Sequence, residues 1–175
     1  SVIRELARAV HRGATVEVIV PGHLNNHPIA RRARRRRYGD LLRAGVRLPR
    51  DFATDPTKRY PLLVRIGGFG SRYTGIGRSR GRNASADDAP PFVTLQLDGA
   101  GPLGDPYPVD SENHGPYGAA ITEELIPHVE RTFRCIGEPR ARFTTGGSTG
   151  GWVSFALQVF YPDFFNGCWS FFPDG

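Results

Sequence analysis

The sequence predicts an α/β protein built on a mainly parallel sheet, and three observations carry that expectation. Apolar runs of strand length occur at Pro61–Ile66 and Phe92–Leu97. Between Pro116 and Arg134, the residues Ile121, Leu125, Val129 and Phe133 recur every four positions, the spacing of one helix face. A short strand, Phe143–Thr145, then leads through a glycine-rich turn into Gly151–Tyr161, a helix apolar nearly all round and therefore suited to burial against a sheet. Strands alternating with helices favour parallel pairing.

Taken in order, Val2–His11 reads as a short amphipathic helix closed by Gly13, and Thr15–Val20 as a strand. Pro21 to Tyr38 is an irregular, basic connector. Leu41–Leu48 and Pro61–Ile66 read as strands separated by the turn-rich Pro49–Tyr60. Gly67 to Pro91 is rich in Gly, Arg and Ser and reads as a long loop with room for a short helix. After Phe92–Leu97 comes Asp98-Gly99 and a second Pro/Gly loop. Pro116 suits the first turn of the next helix, and Pro127, which lacks an N–H, should bend it. Pro162 ends the last helix, and Gly167–Phe172 is the final strand. The organisation is thus an N-terminal helix, strand and connector over 1–40, followed by the α/β domain over 41–175.

At 175 residues the chain fits one domain with a sizeable core, and 39% hydrophobic residues including 11 Phe argue for a globular protein. The net charge of +6 is unevenly spread: residues 1–90 hold 19 of the 23 basic but only 7 of the 17 acidic residues. All the basic residues but Lys58 are Arg. The cluster Arg31-Arg32-Ala33-Arg34-Arg35-Arg36-Arg37 could contact phosphates, but it lacks the aromatic residues of a single-strand binder and reads as a solvated connector. No specific nucleic-acid partner is expected. No stretch reaches the ~20 apolar residues of a membrane span, and no signal peptide opens the chain. There is no methionine, so the chain reads as processed or excised, and cytoplasmic and exported locations fit equally. Cys135 and Cys168 have neither disulfide-scaffold nor zinc spacing; one bridge is possible, and free thiols fit better.

The chemistry concentrates in Gly146-Gly147-Ser148-Thr149-Gly150, a G-x-S-x-G run between a strand and a buried helix. In that setting the pattern describes a nucleophile elbow, a strained turn that lifts a serine hydroxyl from the sheet edge. Side chains at Gly146 and Gly150 would collide with the neighbouring strand and helix. The helix that follows points its free N–H groups at developing negative charge, which makes Thr149 the natural first oxyanion donor. The second donor belongs on the loop after an earlier strand. Leu62–Ile66 runs into Gly67-Gly68-Phe69-Gly70, and the Phe69 N–H, with Gly68 as second choice, fills that role. A plain glycine-rich loop without chemistry is the alternative at both places. Phosphate-loop patterns fail: Gly70-x4-Gly75 is followed by Ile76 rather than Lys.

Several segments together resemble the putative-esterase family, the esterase D, feruloyl esterase and antigen 85 branch of the α/β-hydrolases. They are Tyr60-Pro61-Leu62-Leu63-Val64, Gly67-Gly68-Phe69-Gly70, the run Tyr117 through Glu130, and the run Gly146 through Phe165. The resemblance covers roughly 41–175. It implies an α/β-hydrolase-like three-layer sandwich, ending here after the strand that follows the nucleophile helix. It also implies Ser148 as nucleophile, Thr149 and Phe69 as oxyanion donors, and hydrolysis of a small-molecule carboxylic ester through an acyl-enzyme, with no cofactor or metal.

One departure bears on activity. In this fold the triad runs Ser, then Asp or Glu, then His, yet His11, His23, His27, His114 and His128 all precede Ser148. Truncation before the acid and base is the expected reason. His114, on the loop before the Pro116 helix, is the best-placed upstream histidine, as a substrate-lining residue or a substitute base. Asp174, after the last strand, sits where a triad acid can lie, though a Pro-Asp-Gly turn explains it equally. Asp98 is a further lining candidate. His128 reads as helix surface, and His23 and His27 do not make a metal site. Two other functions fit: a prolyl-oligopeptidase-like serine peptidase segment, and a non-catalytic binding module that uses the basic N-terminal half.

Overall fold

The structure is a computed structural model, and it describes residues 44–77, 91–99, 105, 107–112 and 115–174. The helix and strand expected before residue 40, the arginine run and His114 lie outside these residues.

The sheet has five strands: β1 (Ala44–Arg47), β2 (Leu62–Ile66), β3 (Val93–Leu97), β6 (Arg142–Gly147) and β7 (Cys168–Phe171), in the order β1-β3-β2-β6-β7. Only β1 runs antiparallel; it pairs with β3, while β3–β2, β2–β6 and β6–β7 are parallel. The α/β class and mostly parallel sheet are as the sequence predicts. β3 is buried along its whole length, so that Thr94 and Gln96 are buried along with Val93, Leu95 and Leu97. β2 alternates, sending Leu62, Val64 and Ile66 into a core shared with Ile121, Ile126, Val129, Val153, Leu157 and Phe165. On the other face of the sheet, the rings of Phe92, just before β3, Phe143 of β6 and Trp169 of β7 follow one another at 5.9 and 5.5 Å.

A small hairpin, β4 (Asp110–Ser111) with β5 (Gly115–Pro116), feeds the first helix. Pro116 ends up in this hairpin, just before the helix rather than in its first turn. The helix is continuous but changes type: α1 (Tyr117–Ala120), a π-helical turn (Ile121–Leu125) and α2 (Ile126–Thr132). Pro127 accounts for the change. Its ring would crowd the carbonyl four residues back, and its missing N–H breaks the ordinary ladder. The wider turn resolves both, with the Ile126 N–H donating to the Ile121 carbonyl five residues back. Asp110 accepts from the Ala119 N–H at 3.1 Å and from the Tyr161 hydroxyl at 2.8 Å, fixing the start of this helix against the end of α3 (Thr149–Phe160).

At the opposite end of the sheet, Arg142 opens β6 and meets Glu130 of α2 in a buried fork. Nε donates to Oε1 at 2.7 Å and a terminal nitrogen to Oε2 at 2.9 Å. The guanidinium also donates to the Gly137 carbonyl and lies 4.1 Å from the Phe164 ring centre. Both cysteines are free, as their spacing suggested. Burial, and then the nearby Glu130 carboxylate, push the Cys135 thiol up to about 12.

Two outcomes follow from this packing. Arg142→Ala strands the Glu130 carboxylate in the interior and should cost about 3–5 kcal/mol, measured by denaturant unfolding. A loss below about 1 kcal/mol would show that the pair carries little. Because only the thiolate reacts, Cys135 in the native protein should resist alkylation at pH 8 while half-exposed Cys168 is modified first; equal rates at the two would contradict the burial argument.

Candidate active site

Ser148 sits at the junction of β6 and α3 with φ 58° and ψ −133°, a conformation that L side chains rarely adopt and that costs about 1–3 kcal/mol. The surroundings enforce it. A Cβ at Gly146 would lie 2.2 Å from the Gly150 carbonyl oxygen and 2.7 Å from that of Ile66. One at Gly150 would lie 2.3 and 2.4 Å from the carbonyl oxygens of Ile66 and Gly67. The start of α3 therefore packs main chain on main chain against the end of β2. On the other side, the Ser148 N–H donates to the Phe171 carbonyl at 3.0 Å, and a Cβ at Gly151 would meet that same carbonyl oxygen at 2.7 Å. The elbow is thus held between β2 and β7.

The helix start coincides with Thr149, two residues earlier than its apolar pattern suggested, so the Thr149 N–H is the first orphan donor of α3. Its side chain is buried, and its hydroxyl donates to Asp174 Oδ2 at 3.0 Å. The same oxygen accepts from Ser148 Oγ at 3.4 Å. A triad acid bonds to the histidine and leaves the serine to the imidazole. Asp174 instead touches the serine directly.

The glycine loop after β2 comes to the same place. A Cβ at Gly68 would be 3.6 Å from Ser148 Cβ and 3.9 Å from its Oγ, so residue 68 flanks the hydroxyl. Residues 68–71 close a turn through the Ser71 N–H and the Gly68 carbonyl at 3.0 Å, with Gly70 at φ 67°. Phe69, next in the chain after Gly68, is 73% exposed and faces solvent. Asp98, the further lining candidate, is held by the residues that follow the glycine loop. Its side chain is 5% exposed and lies under the loop, accepting from the Tyr73 N–H at 3.1 Å and pairing with Arg72 at 3.5 Å. His128 lies exposed in α2, which runs from the hairpin towards the Arg142 end of β6 and so away from the elbow.

Two contacts escaped sequence reasoning. Asp105 accepts from the Gly70 N–H at 3.1 Å, and the Tyr107 ring packs edge-on against Trp152 of α3 at 6.2 Å. Neither residue carries a periodic or motif signal. Among the described residues no group of His, Cys, Asp and Glu could hold a metal ion, and no helix is long and apolar enough to cross a membrane.

A sequence profile of the family described as "Putative esterase" matches residues 37–173. Solved structures of similar fold include a ferulic acid esterase with 23% identity and a TM-score of 0.62, covering 73% of this chain and 52% of the esterase. An S-formylglutathione hydrolase from Agrobacterium tumefaciens has 16% identity and a TM-score of 0.58, with 73% and 50% covered. A CE1 ferulic acid esterase from the anaerobic fungus Anaeromyces mucronatus has 16% identity and a TM-score of 0.56, with 75% and 53% covered. The chain thus spans about half the length of these relatives, and the likeness establishes the fold. No curated protein matches the sequence.

The close approach at Gly150 can be tested directly. Gly150→Ala should destabilise by about 3 kcal/mol or more, since only backbone could move aside. Gly75→Ala, with nothing within 4 Å of its Cβ, should change the melting midpoint little. Equal effects of the two would remove the steric reading of the motif.

Proposed function

The chain belongs to the putative-esterase family, and from that premise we propose that Ser148 is the nucleophile of a carboxylic ester hydrolase acting through an acyl-enzyme. The observation that carries the reading is the strained backbone of Ser148 at the β6–α3 junction, beside the loop that follows β2. A residue is kept in such a conformation when its surroundings over-determine it, and such strain clusters at active sites.

In this reading Ser148 Oγ attacks the ester carbonyl, and its proton passes to a general base. The carbonyl oxygen becomes an oxyanion that accepts from the Thr149 N–H and the Phe69 N–H, with the Gly68 N–H as the alternative second donor. Two such donors aimed at the developing charge are the usual source of stabilisation in acyl transfer. Collapse expels the alcohol, protonated by the same base, and leaves the acyl group on Ser148. Water then attacks that carbonyl and regenerates the serine. The ring of Phe69, largely exposed at the loop tip, offers the substrate an apolar wall. Asp174 accepts the serine hydroxyl in the resting state and holds the Thr149 side chain.

The substrate is a small carboxylic ester. Fluorophosphonate should label Ser148, and a short p-nitrophenyl ester should be hydrolysed, on the 175 residues or on a longer natural form of the chain. Ser148→Ala should abolish labelling and lower turnover by about three orders of magnitude or more. Absence of labelling in every form would sink the hydrolase reading.

A further inference from the structure

We propose that Asp105 is a positioning residue that sets the oxyanion loop against the nucleophile; this rests on reading the residue 68–69 backbone as the second oxyanion donor. The loop after β2 contains Gly67, Gly68 and Gly70, and such a segment has many backbone conformations of similar energy. Besides the Arg72–Asp98 ion pair, three hydrogen bonds from backbone N–H groups tie it to the chain beyond β3. The Gly99 N–H donates to the Ser71 carbonyl at 2.8 Å, and the Tyr73 N–H to Asp98 at 3.1 Å. Both hold the trailing part of the loop. Asp105 alone among these reaches Gly70, the residue next to Phe69.

The geometry of this contact gives it leverage. In a planar trans peptide the N–H and C=O point in opposite directions. Holding the Gly70 N–H on Asp105 Oδ2 therefore directs the Phe69 carbonyl away from Asp105 and stops the peptide between Phe69 and Gly70 from flipping. Gly70 has φ 67° and nothing within 4 Å of a Cβ, so its conformation is not imposed by crowding. The carboxylate is itself oriented, because its other oxygen accepts from the Tyr107 N–H at 3.1 Å. Tyr107 in turn packs edge-on against Trp152, whose N–H donates to the Ser148 carbonyl at 3.1 Å. Asp105 and Tyr107 thus contact both halves of the site: the loop through a carboxylate and the elbow helix through a ring. Tyr107 has φ 41°, a second strained residue in the same place.

The test measures fluorophosphonate labelling of Ser148 and amide hydrogen exchange of the peptide containing Gly70, in wild type, Asp105→Ala and Asp105→Asn. Asp105→Ala should lower the maximal phosphonylation rate about tenfold or more, as expected when one oxyanion donor is misplaced, with the probe's half-saturating concentration changed less than about threefold. Exchange at Gly70 should accelerate in the same variant. Asp105→Asn, which keeps an acceptor oxygen, should recover part of both, and it carries the test if the alanine variant does not fold. A reactive wild type with unchanged rate in the variants overturns the proposal alone. A slowed variant with unchanged Gly70 exchange also overturns it. A wild type inert to the probe both as the 175 residues and in a longer natural form overturns the nucleophile reading, and the positioning role with it.

Discussion

The approach of the α3 start to the end of β2 is the constraint on which the rest of the site depends. Carbonyl oxygens of Ile66 and Gly67 occupy the space that side chains at positions 146 and 150 would need. Once those two positions are glycine, the helix can begin directly over the strand end, and one of the three residues between them is held at a positive φ. That residue is Ser148. The same closeness brings residue 68 beside the serine oxygen, because the chain leaving β2 has to pass the elbow. A pattern that looks like a catalytic signature is at root a statement about how near two backbones can come. It carries information only where a strand precedes it and a buried helix follows, as here.

β6 transmits this constraint through the domain. At its start Arg142 is fixed by Glu130, the Gly137 carbonyl and the Phe164 ring, and at its end Gly146 meets the start of α3. Between them Thr144 donates its hydroxyl to the Ser154 carbonyl, and Ser154 donates to that of Gly151. The buried Thr144 hydroxyl pairs strand to helix at a fixed register, where an apolar contact would allow sliding, while that of Ser154 stays within the helix. A largely buried ion pair contributes less by its own attraction than by the cost of breaking it. Its placement at the far end of β6 makes it an anchor for the strand that presents Ser148.

Much of this was legible in the sequence. The strands at 62–66, 93–97 and 168–171 and both long helical segments follow from apolar runs and four-residue spacing, to within a few residues at their ends. The elbow and the loop after β2 were legible too, because glycine at close approaches leaves a local trace. Other features depend on where the chain goes in space. Pro127 signals a disturbance, but a π turn and a bend both relieve it, and the sequence does not choose between them. Asp98 follows a strand end just as a lining residue would, yet a buried strand end can equally point beneath the neighbouring loop. Asp105 lies 35 residues from Gly70, and no periodicity links them.

The parts of the site differ in how they are held, and this divides the chemistry. The proposed oxyanion donors are backbone N–H groups, one at a helix start wedged between two strands and one on a loop pinned to neighbouring segments. Donors fixed in this way need no reorganisation when charge develops, which is where such stabilisation has its advantage. The proton of Ser148 stands apart from that arrangement. Its described neighbour is the Asp174 carboxylate, which bonds the serine and Thr149 hydroxyls alike. An anion in that position opposes charge building on the adjacent oxyanion, so turnover requires a base that takes the proton and screens or displaces Asp174. An imidazole inserted between the two would do both, turning a direct contact into an acid–base–nucleophile relay. Among the described residues the one histidine, His128, lies on α2 towards the other end of the sheet. In the proposed reading these residues supply the electrostatic part of ester hydrolysis, and the base that takes the serine proton is a group other than the described ones.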